Sequence, residues 1–335
     1  MTVAGRQNYG RPVYIFWHEV ISAKRQEQPE TAVWRYVRMT IQKKKKEREA
    51  FWLLLPTALL LLVFIAYPLI NTVALAFQDY KLTSLEKVNF NGIENFRAIV
   101  ADPYFAMILR NSFVFTFITV ALQFLMGLTL ALALCKPFKG RNIYQAIVFL
   151  PWSISALVIG FTFRWLFNAE FGPVNDILIK LGILQEKVSF LGNGRLALGC
   201  VIAAMVWYGV PFFGIMLTAA FQSIPTDLYE AAEIDGSNAV QKFFYITLPY
   251  AKPTIVLTLL LRTIWVFNSA DLIYVMTNGG PGNATHTLAS YMFTKAYSTL
   301  NFGQTGALGT MFMAGLAVYT IVFMKITKYD GSGGF

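Results

Sequence analysis

The chain has 335 residues, of which 56% are hydrophobic and only 14% charged, and its formal net charge is +10. Soluble domains carry about a quarter charged residues, so composition excludes an ordinary soluble enzyme and favours a membrane protein. The positive charge does not indicate nucleic-acid binding: eleven of the 28 Lys and Arg residues fall within the first 50 positions, ahead of any apolar run, where an anionic leaflet attracts each by about 1 kcal/mol.

Residues 1–48 read as a basic N-terminal extension. Tyr14-Ile15-Phe16-Trp17 and Val33-Trp34-Arg35-Tyr36 set aromatic beside basic side chains, as interfacial helices do, although a disordered basic arm has the same composition. Lys43 to Lys46 with Arg48 form a positive-inside anchor. The apolar stretch that starts near Phe51 is too long for the core of a signal peptide.

From there, six apolar segments are each long enough to cross roughly 30 Å of hydrocarbon as a helix. They lie near Phe51–Phe77, Ser112–Cys135, Ile143–Phe167, Ala197–Phe221, Thr254–Met276 and Gln304–Ile326. None alternates as a barrel strand must, so the expected fold is an all-α polytopic membrane protein, with residues 49–328 as one membrane domain. Between the first two spans, residues 78–111 hold an Asn91-Gly92 turn and a helix start at Asp102-Pro103, which predicts a structured loop. Basic residues number eighteen on one side of the membrane and eight on the other, which predicts cytoplasmic N- and C-termini. Gly303, Gly306 and Gly309 predict close helix packing at the start of the last span. The tail 329–335, with Gly331-Ser332-Gly333-Gly334, reads as a flexible end.

Catalysis finds no support in this pattern. Cys135 and Cys200 sit in apolar runs, His18 and His286 are far apart, and no spacing suits a metal. No G-x-x-x-x-G-K-[ST] phosphate loop occurs, so ATP hydrolysis is not expected of this chain.

Residues 226–250 form a polar elbow between apolar spans. Pro225 closes the fourth span, and Asp227 followed by Glu230 resembles a capping box. A helix from there is expected to reach Asp235, where Gly236 supplies the left-handed residue that ends it. Ser237 is expected to cap a second short helix, stopped by Pro249. Helices this short are marginal alone, and Ala231 and Ala232 leave a thin face that can enter a partner's groove.

The elbow's pattern, Glu230-Ala231-Ala232, Asp235-Gly236, then Phe243 or Phe244, Ile246, Leu248 and Pro249, resembles the coupling (EAA) motif of binding-protein-dependent ABC importer permeases. Ser237 is a mild departure from that pattern. Pro56, Tyr67-Pro68, Gly92 to Phe96, Leu150-Pro151, Trp165-Leu166-Phe167 and Ile224-Pro225 resemble the family's carbohydrate branch. The segment Asp271 to Gly282, DLIYVMTNGGPG, is similar to a signature of sugar permeases of the maltose and glycerol-phosphate type. The resemblance implies the transmembrane domain of a type I ABC importer, with six core helices. It also implies a second homologous permease subunit, two ATPase subunits that bind ATP and Mg, and an extracytoplasmic solute-binding protein, in a bacterial cytoplasmic membrane. Glu230, Ala231, Ala232, Asp235 and Gly236 are then the ATPase-coupling residues.

A sugar is held by aromatic faces and by hydrogen bonds to its hydroxyls, and polar groups at membrane depth are functional suspects. Trp207, Tyr208 and Phe212 in the fourth span and Trp265, Asn268 and Asp271 in the fifth have that chemistry. No cofactor or metal is expected on the chain itself. The same architecture could carry glycerol phosphate or another small solute, for which only Arg164 and Arg262 offer positive charge within the spans. A secondary transporter or channel would leave the elbow unexplained.

Overall fold

A computed structural model describes residues 49–84 and 88–328. The interfacial segments read from residues 1–48 and the flexible tail at 329–335 lie outside the described residues. Chain contacts divide the protein into two units, Met1–Pro68 and Leu69–Phe335. All secondary structure of length among the described residues is helical, with only two isolated bridges, Gln78 with Phe90 and Lys81 with Asn301.

In chain order, the helices are α1, Glu49–Leu75; α2, Glu94–Val100; α3, Phe105–Cys135; α4, Arg141–Ser153; and α5, Ala156–Leu166. Then come α6, Pro173–Lys180; α7, Ala197–Gln222; α8, Thr226–Ile234; and α9, Ala239–Phe267. Last are α10, Asp271–Thr277; α11, Leu288–Tyr297; and α12, Phe302–Thr327. Helices α1, α3, α7, α9 and α12 are each long and apolar enough to span a membrane. At 1.5 Å per residue, the 26 residues of α7 rise about 39 Å.

Two spans differ from the sequence expectation. The third is not one helix: α4 and α5 meet at 94°. Ile154 and Ser155 are extended, with ψ of 142° and 140°. Pro151 inside α4 has no N–H to donate, so the helix is already weakened just before the corner. The fifth span stops at Phe267 rather than at Met276. Asn268 turns its Nδ2 back onto the Ile264 carbonyl at 3.0 Å, and the chain restarts at Asp271 as the separate helix α10.

Pro68 and Pro249 each follow a short widened turn of helix, a π-turn at Leu62–Ala66 and another at Phe243–Thr247. In both cases the widened turn ends two residues before the proline. It relaxes the carbonyls that the ring would strike in a regular α-helix. Pro249 therefore does not stop the elbow's second helix, as its position in the sequence suggests. The helix continues through it into α9.

Helices α3 and α7 form the most extensive pairing in the bundle. They cross where Gly127 lies against Phe213 and Gly214: a Cβ at Gly127 would stand 2.4 Å from Phe213 Cβ. Small residues at a crossing let helix backbones approach, which is how helices associate where lipid removes any hydrophobic preference for contact. Around this crossing, Phe115, Val201, Phe212, Phe213, Leu217 and Val266 are fully or almost fully buried. A smaller cluster, with Ala76, Ile99, Ile108, Ala307 and Leu308, packs the other end of α12 against α2 and the start of α3.

Two of the three spaced glycines of α12 pack as their spacing predicts, while a Cβ at Gly309 would make only ordinary contact, at 3.4 Å from Met292 Sδ. A Cβ at Gly303 would meet the Gln78 carbonyl at 2.3 Å, and one at Gly306 the Thr72 carbonyl at 2.7 Å. The loop before α3 is structured as well. Asn95 donates to the carbonyls of Ala76 (2.9 Å) and Gln78 (2.8 Å), and Asp102 Oδ1 accepts the Tyr104 amide at 2.9 Å.

Candidate functional site: a polar elbow and an aromatic cluster

The elbow is built from α8, a glycine turn and the first turns of α9. Asp235 is the last right-handed residue, and Gly236 takes φ 77°. The Ser237 amide donates to Ala232 O at 2.8 Å and the Gly236 amide to Glu233 O at 3.0 Å, which closes α8 with the two bonds of a Schellman turn. Nothing lies within 4 Å of where a Gly236 Cβ would be, so this glycine is required only for its backbone conformation.

Two capping assignments change. Asp227 lies in the first turn of α8, whose N-cap position is Pro225, without a side-chain cap. Its charge is placed to favour the helix dipole instead. The second helix is capped by Asn238 rather than Ser237: Asn238 Oδ1 accepts the Gln241 amide at 2.9 Å and Gln241 Oε1 accepts the Asn238 amide at 2.8 Å. Asn completes the reciprocal box because its partner three residues on is Gln.

Two cross-links hold the elbow's halves together. The Tyr229 hydroxyl and Thr247 Oγ1 are 2.8 Å apart, and Lys242 Nζ donates to Glu233 Oε1 at 2.5 Å. Between the halves is an open cleft of about 420 Å³ with Ala231, Ala232, Asp235 and Lys242 on its walls. Glu230 and Asp235 are exposed to solvent, as is Ala231. Beside them stand large apolar side chains in the open: Ile234 is 88% exposed, Tyr245 80%, Val240 64% and Phe244 56%. Apolar groups grouped on a rigid polar loop mark a surface that another protein covers.

Within the bundle, Phe212 of α7 and Trp265 of α9 come together, and Arg262 of α9 approaches the rings of Tyr208 and Phe212, whereas Trp207 packs elsewhere. Phe212 is the hub, fully buried, with its ring centroid 5.3 Å from that of Trp265 and 5.9 Å from that of Trp152. Trp207 packs on Phe163 at 5.7 Å. Trp265 remains about half exposed, so the cluster has an open side. Asn268 and Asp271 follow Trp265 at the end of α9. Asn268 caps α9, and Asp271 starts α10, exposed and bonded by the Ser269 hydroxyl at 3.2 Å. Asn268 lies one turn after Trp265, and both side chains are exposed.

Two residues that the sequence reading passed over lie beneath the cluster. Gln123, in the middle of α3, is fully buried; its Nε2 donates to Met205 O at 2.6 Å and its Oε1 accepts Arg262 Nε at 2.8 Å. Gly209 leaves the space they occupy, since a Cβ there would be 2.0 Å from Arg262 Nη2 and 2.1 Å from Gln123 Nε2. A lone amide in an apolar span was the available signal for Gln123. Gly209 gave none. The other intramembrane cation, Arg164, donates to Val275 O at 3.3 Å and ties α5 to α10.

The Asp271–Gly282 signature and the residues after it form a closed loop. Asn278, Gly279 and Gly282 take φ of 49°, 79° and 53°. Asn111 of α3 donates to the carbonyls of Ala284 (2.9 Å) and His286 (3.3 Å), and Ser112 Oγ accepts the Leu288 amide at 2.8 Å. Inside the loop, the Thr277 and Thr285 hydroxyls are 2.7 Å apart. Burial lowers the His286 imidazole to about 4, so it is neutral near pH 7, with Nδ1 3.1 Å from Ser290 Oγ. Nearby, burial works to raise the Asp102 carboxyl. The Tyr291 hydroxyl at 2.5 Å, the Tyr104 amide and the Lys295 cation together outweigh it and hold the group below the ordinary carboxylate value. Among the described residues no cluster of His, Cys, Asp or Glu is arranged to hold a metal.

Residues 123–328 match the family described as binding-protein-dependent transport system inner membrane component. The chain is 37% identical over 279 residues to the sulfoquinovosyl glycerol transport system permease protein SmoG of Agrobacterium fabrum, across 83% of this chain and 90% of that one. It is 34% identical over 289 residues to the trehalose/maltose transport system permease protein MalF of Thermococcus litoralis, across 85% and 97% of the two chains. Its fold is that of a chain in the crystal structure of a bacterial ABC transporter involved in the import of the acidic polysaccharide alginate. There the TM-score is 0.75 at 23% identity, over 87% of this chain and 98% of that one.

Proposed function

The chain belongs to the family of binding-protein-dependent transport system inner membrane components, and from that premise we propose that it is one permease subunit of an ATP-driven sugar importer. It forms half of the translocation pathway beside a second, homologous permease. Two ATPase subunits bind ATP and Mg, and an extracytoplasmic binding protein delivers the cargo. The chain itself holds no cofactor. Both termini and the elbow face the cytoplasm, on the strength of the Lys and Arg distribution.

The observation that carries this reading is the elbow. A glycine-hinged pair of short helices, braced by Tyr229–Thr247 and Glu233–Lys242, presents exposed Ile234, Val240, Phe244 and Tyr245 around an open cleft. Its second helix is continuous with the membrane span α9, so a push on the elbow moves α9 as a lever. Closure of the ATPase pair biases a two-state bundle toward its outward-open form, and hydrolysis releases it. Glu230, Ala231, Ala232, Asp235 and Gly236 make the contact. A saccharide is supported as cargo by two relatives whose names specify sugar-containing solutes and by the half-open aromatic cluster at membrane depth.

The test uses the assembled complex in proteoliposomes with radiolabelled trehalose, maltose and sulfoquinovosyl glycerol. Glu230→Lys is expected to lower cargo-stimulated ATP hydrolysis at least about tenfold while the amount of chain in the membrane is unchanged. Wild-type uptake by the Glu230→Lys complex would sink the coupling role. Uptake by this chain alone, without ATP, would sink the importer reading.

A further inference from the structure

Arg262 is 3% exposed, lies within a span, and has no ion pair among the described residues. Its Nη2 has no hydrogen-bond partner. A guanidinium keeps its charge in proteins. Burying it without a carboxylate costs several kcal/mol, and an apolar side chain of similar volume generally stabilises such a site better. Simple packing therefore does not account for an arginine at this position.

What Arg262 does is order the cluster. Its Nε reaches Gln123 of α3, Gln123 reaches the Met205 carbonyl of α7, and both side chains fill the notch left by Gly209. This ties three spans together one turn from the aromatic group. The guanidinium carbon lies 5.7 Å from the Phe212 ring centroid and 6.0 Å from that of Tyr208. A cation over a ring face fixes the tilt of that ring, which aliphatic packing does not. Phe212 in turn supports the half-exposed Trp265 at 5.3 Å. Tyr208 and Phe212 are one turn apart on α7, so a single guanidinium lies near both rings, and Trp265 is one turn beyond Arg262 on α9.

We propose that Arg262, clamped by Gln123, is a positioning residue that sets the aromatic surface on which the sugar stacks. The proposal rests on the reading that this cluster lines the cargo path. Arg262 acts through Phe212, Tyr208 and Trp265, and the energetic penalty of its buried charge is offset by the rigidity it imposes on them.

The experiment compares Arg262→Met, Gln123→Met and the double variant in the assembled importer. Each single substitution strands one polar partner and is expected to reduce the amount of complex in the membrane. The double variant removes both partners and is expected to restore that amount. It is not expected to restore the surface. With the other tryptophans replaced by Phe, acrylamide quenching of Trp265 is expected to rise about twofold in the double variant, and the KM for whichever labelled saccharide the wild type takes up to rise about tenfold. Unchanged Trp265 quenching together with an unchanged KM in the double variant would overturn the positioning role and leave Arg262 a structural residue. Trp265→Ala separates this from its premise. An unchanged KM there refutes cargo contact by the cluster, whereas a raised KM beside a normal double variant refutes only the positioning by Arg262.

Discussion

The elbow, which runs into the start of α9, and the Asn278–Thr287 loop, which follows its end in the chain, both turn on a left-handed glycine. They use that glycine differently. Gly236 has φ 77° and open space where a side chain would begin; Gly279 has φ 79°, and a Cβ there would stand 2.1 Å from the His286 ring. The elbow leaves apolar side chains uncovered and keeps its charged residues in solvent. In the other loop, backbone groups are bound to Asn111 and Ser112, and a neutral histidine is packed underneath. One loop is shaped for a partner and the other to seal itself onto α3. A sequence motif with glycine at its turn identifies neither role until the space around the glycine is known.

This contrast can be broken at four points, in decreasing order of effect. Gly279→Ala adds both a strained φ and a Cβ inside the His286 ring position, and is expected to destabilise the chain by about 3 kcal/mol. A lowered thermal midpoint in detergent measures this, and an unchanged midpoint would show that the loop is not sealed. Next is pH. The His286 pKa is about 4 in the folded chain and about 6.5 when unfolded, so below pH 6.5 the unfolded state binds the extra proton. Stability is therefore complete above pH 6.5 and is lost as pH falls toward 4, by on the order of 3 kcal/mol. His286→Gln should flatten that part of the stability profile.

Third, Ile234→Ser and Tyr245→Ser alter side chains that are 88% and 80% exposed. Each is expected to leave chain stability within about 0.5 kcal/mol but to weaken ATPase-subunit association about tenfold, read by co-purification. Equal retention of the ATPase in both variants would place docking elsewhere. The smallest effect is expected for Gly236→Ala, where only the backbone conformation is penalised, by about 1 kcal/mol. If it proved as damaging as Gly279→Ala, the elbow would not be the open structure described.

The elements read most directly from the residues were those governed by local chemistry. Hydropathy located the spans because unpaired backbone groups are not tolerated in lipid. Gly236 ended its helix because no other residue takes that conformation so cheaply. Small-residue spacing along α12 marked close approach at Gly303 and Gly306. The misreadings all involve competition between a local signal and its surroundings. Pro249 looks like a helix stop, but a widened turn absorbs it. Residues 143–167 are predominantly apolar, yet the chain turns by 94° between Ser153 and Ala156. The fifth apolar segment reads as one span to Met276, but a cap at Asn268 and a restart at Asp271 divide it.

Taken alone, the sequence determined the class of the protein, the number of apolar segments and the position of the elbow. Each follows from composition or from residues adjacent in the chain, where hydropathy, charge and backbone preference act over one or two turns. Only the tertiary structure placed Gln123 with Arg262, 139 residues away, in the notch at Gly209. It also distinguished an open glycine from an enclosed one. These are facts of proximity between distant segments, and they arise from how α3, α7 and α9 pack rather than from any pattern within one of them.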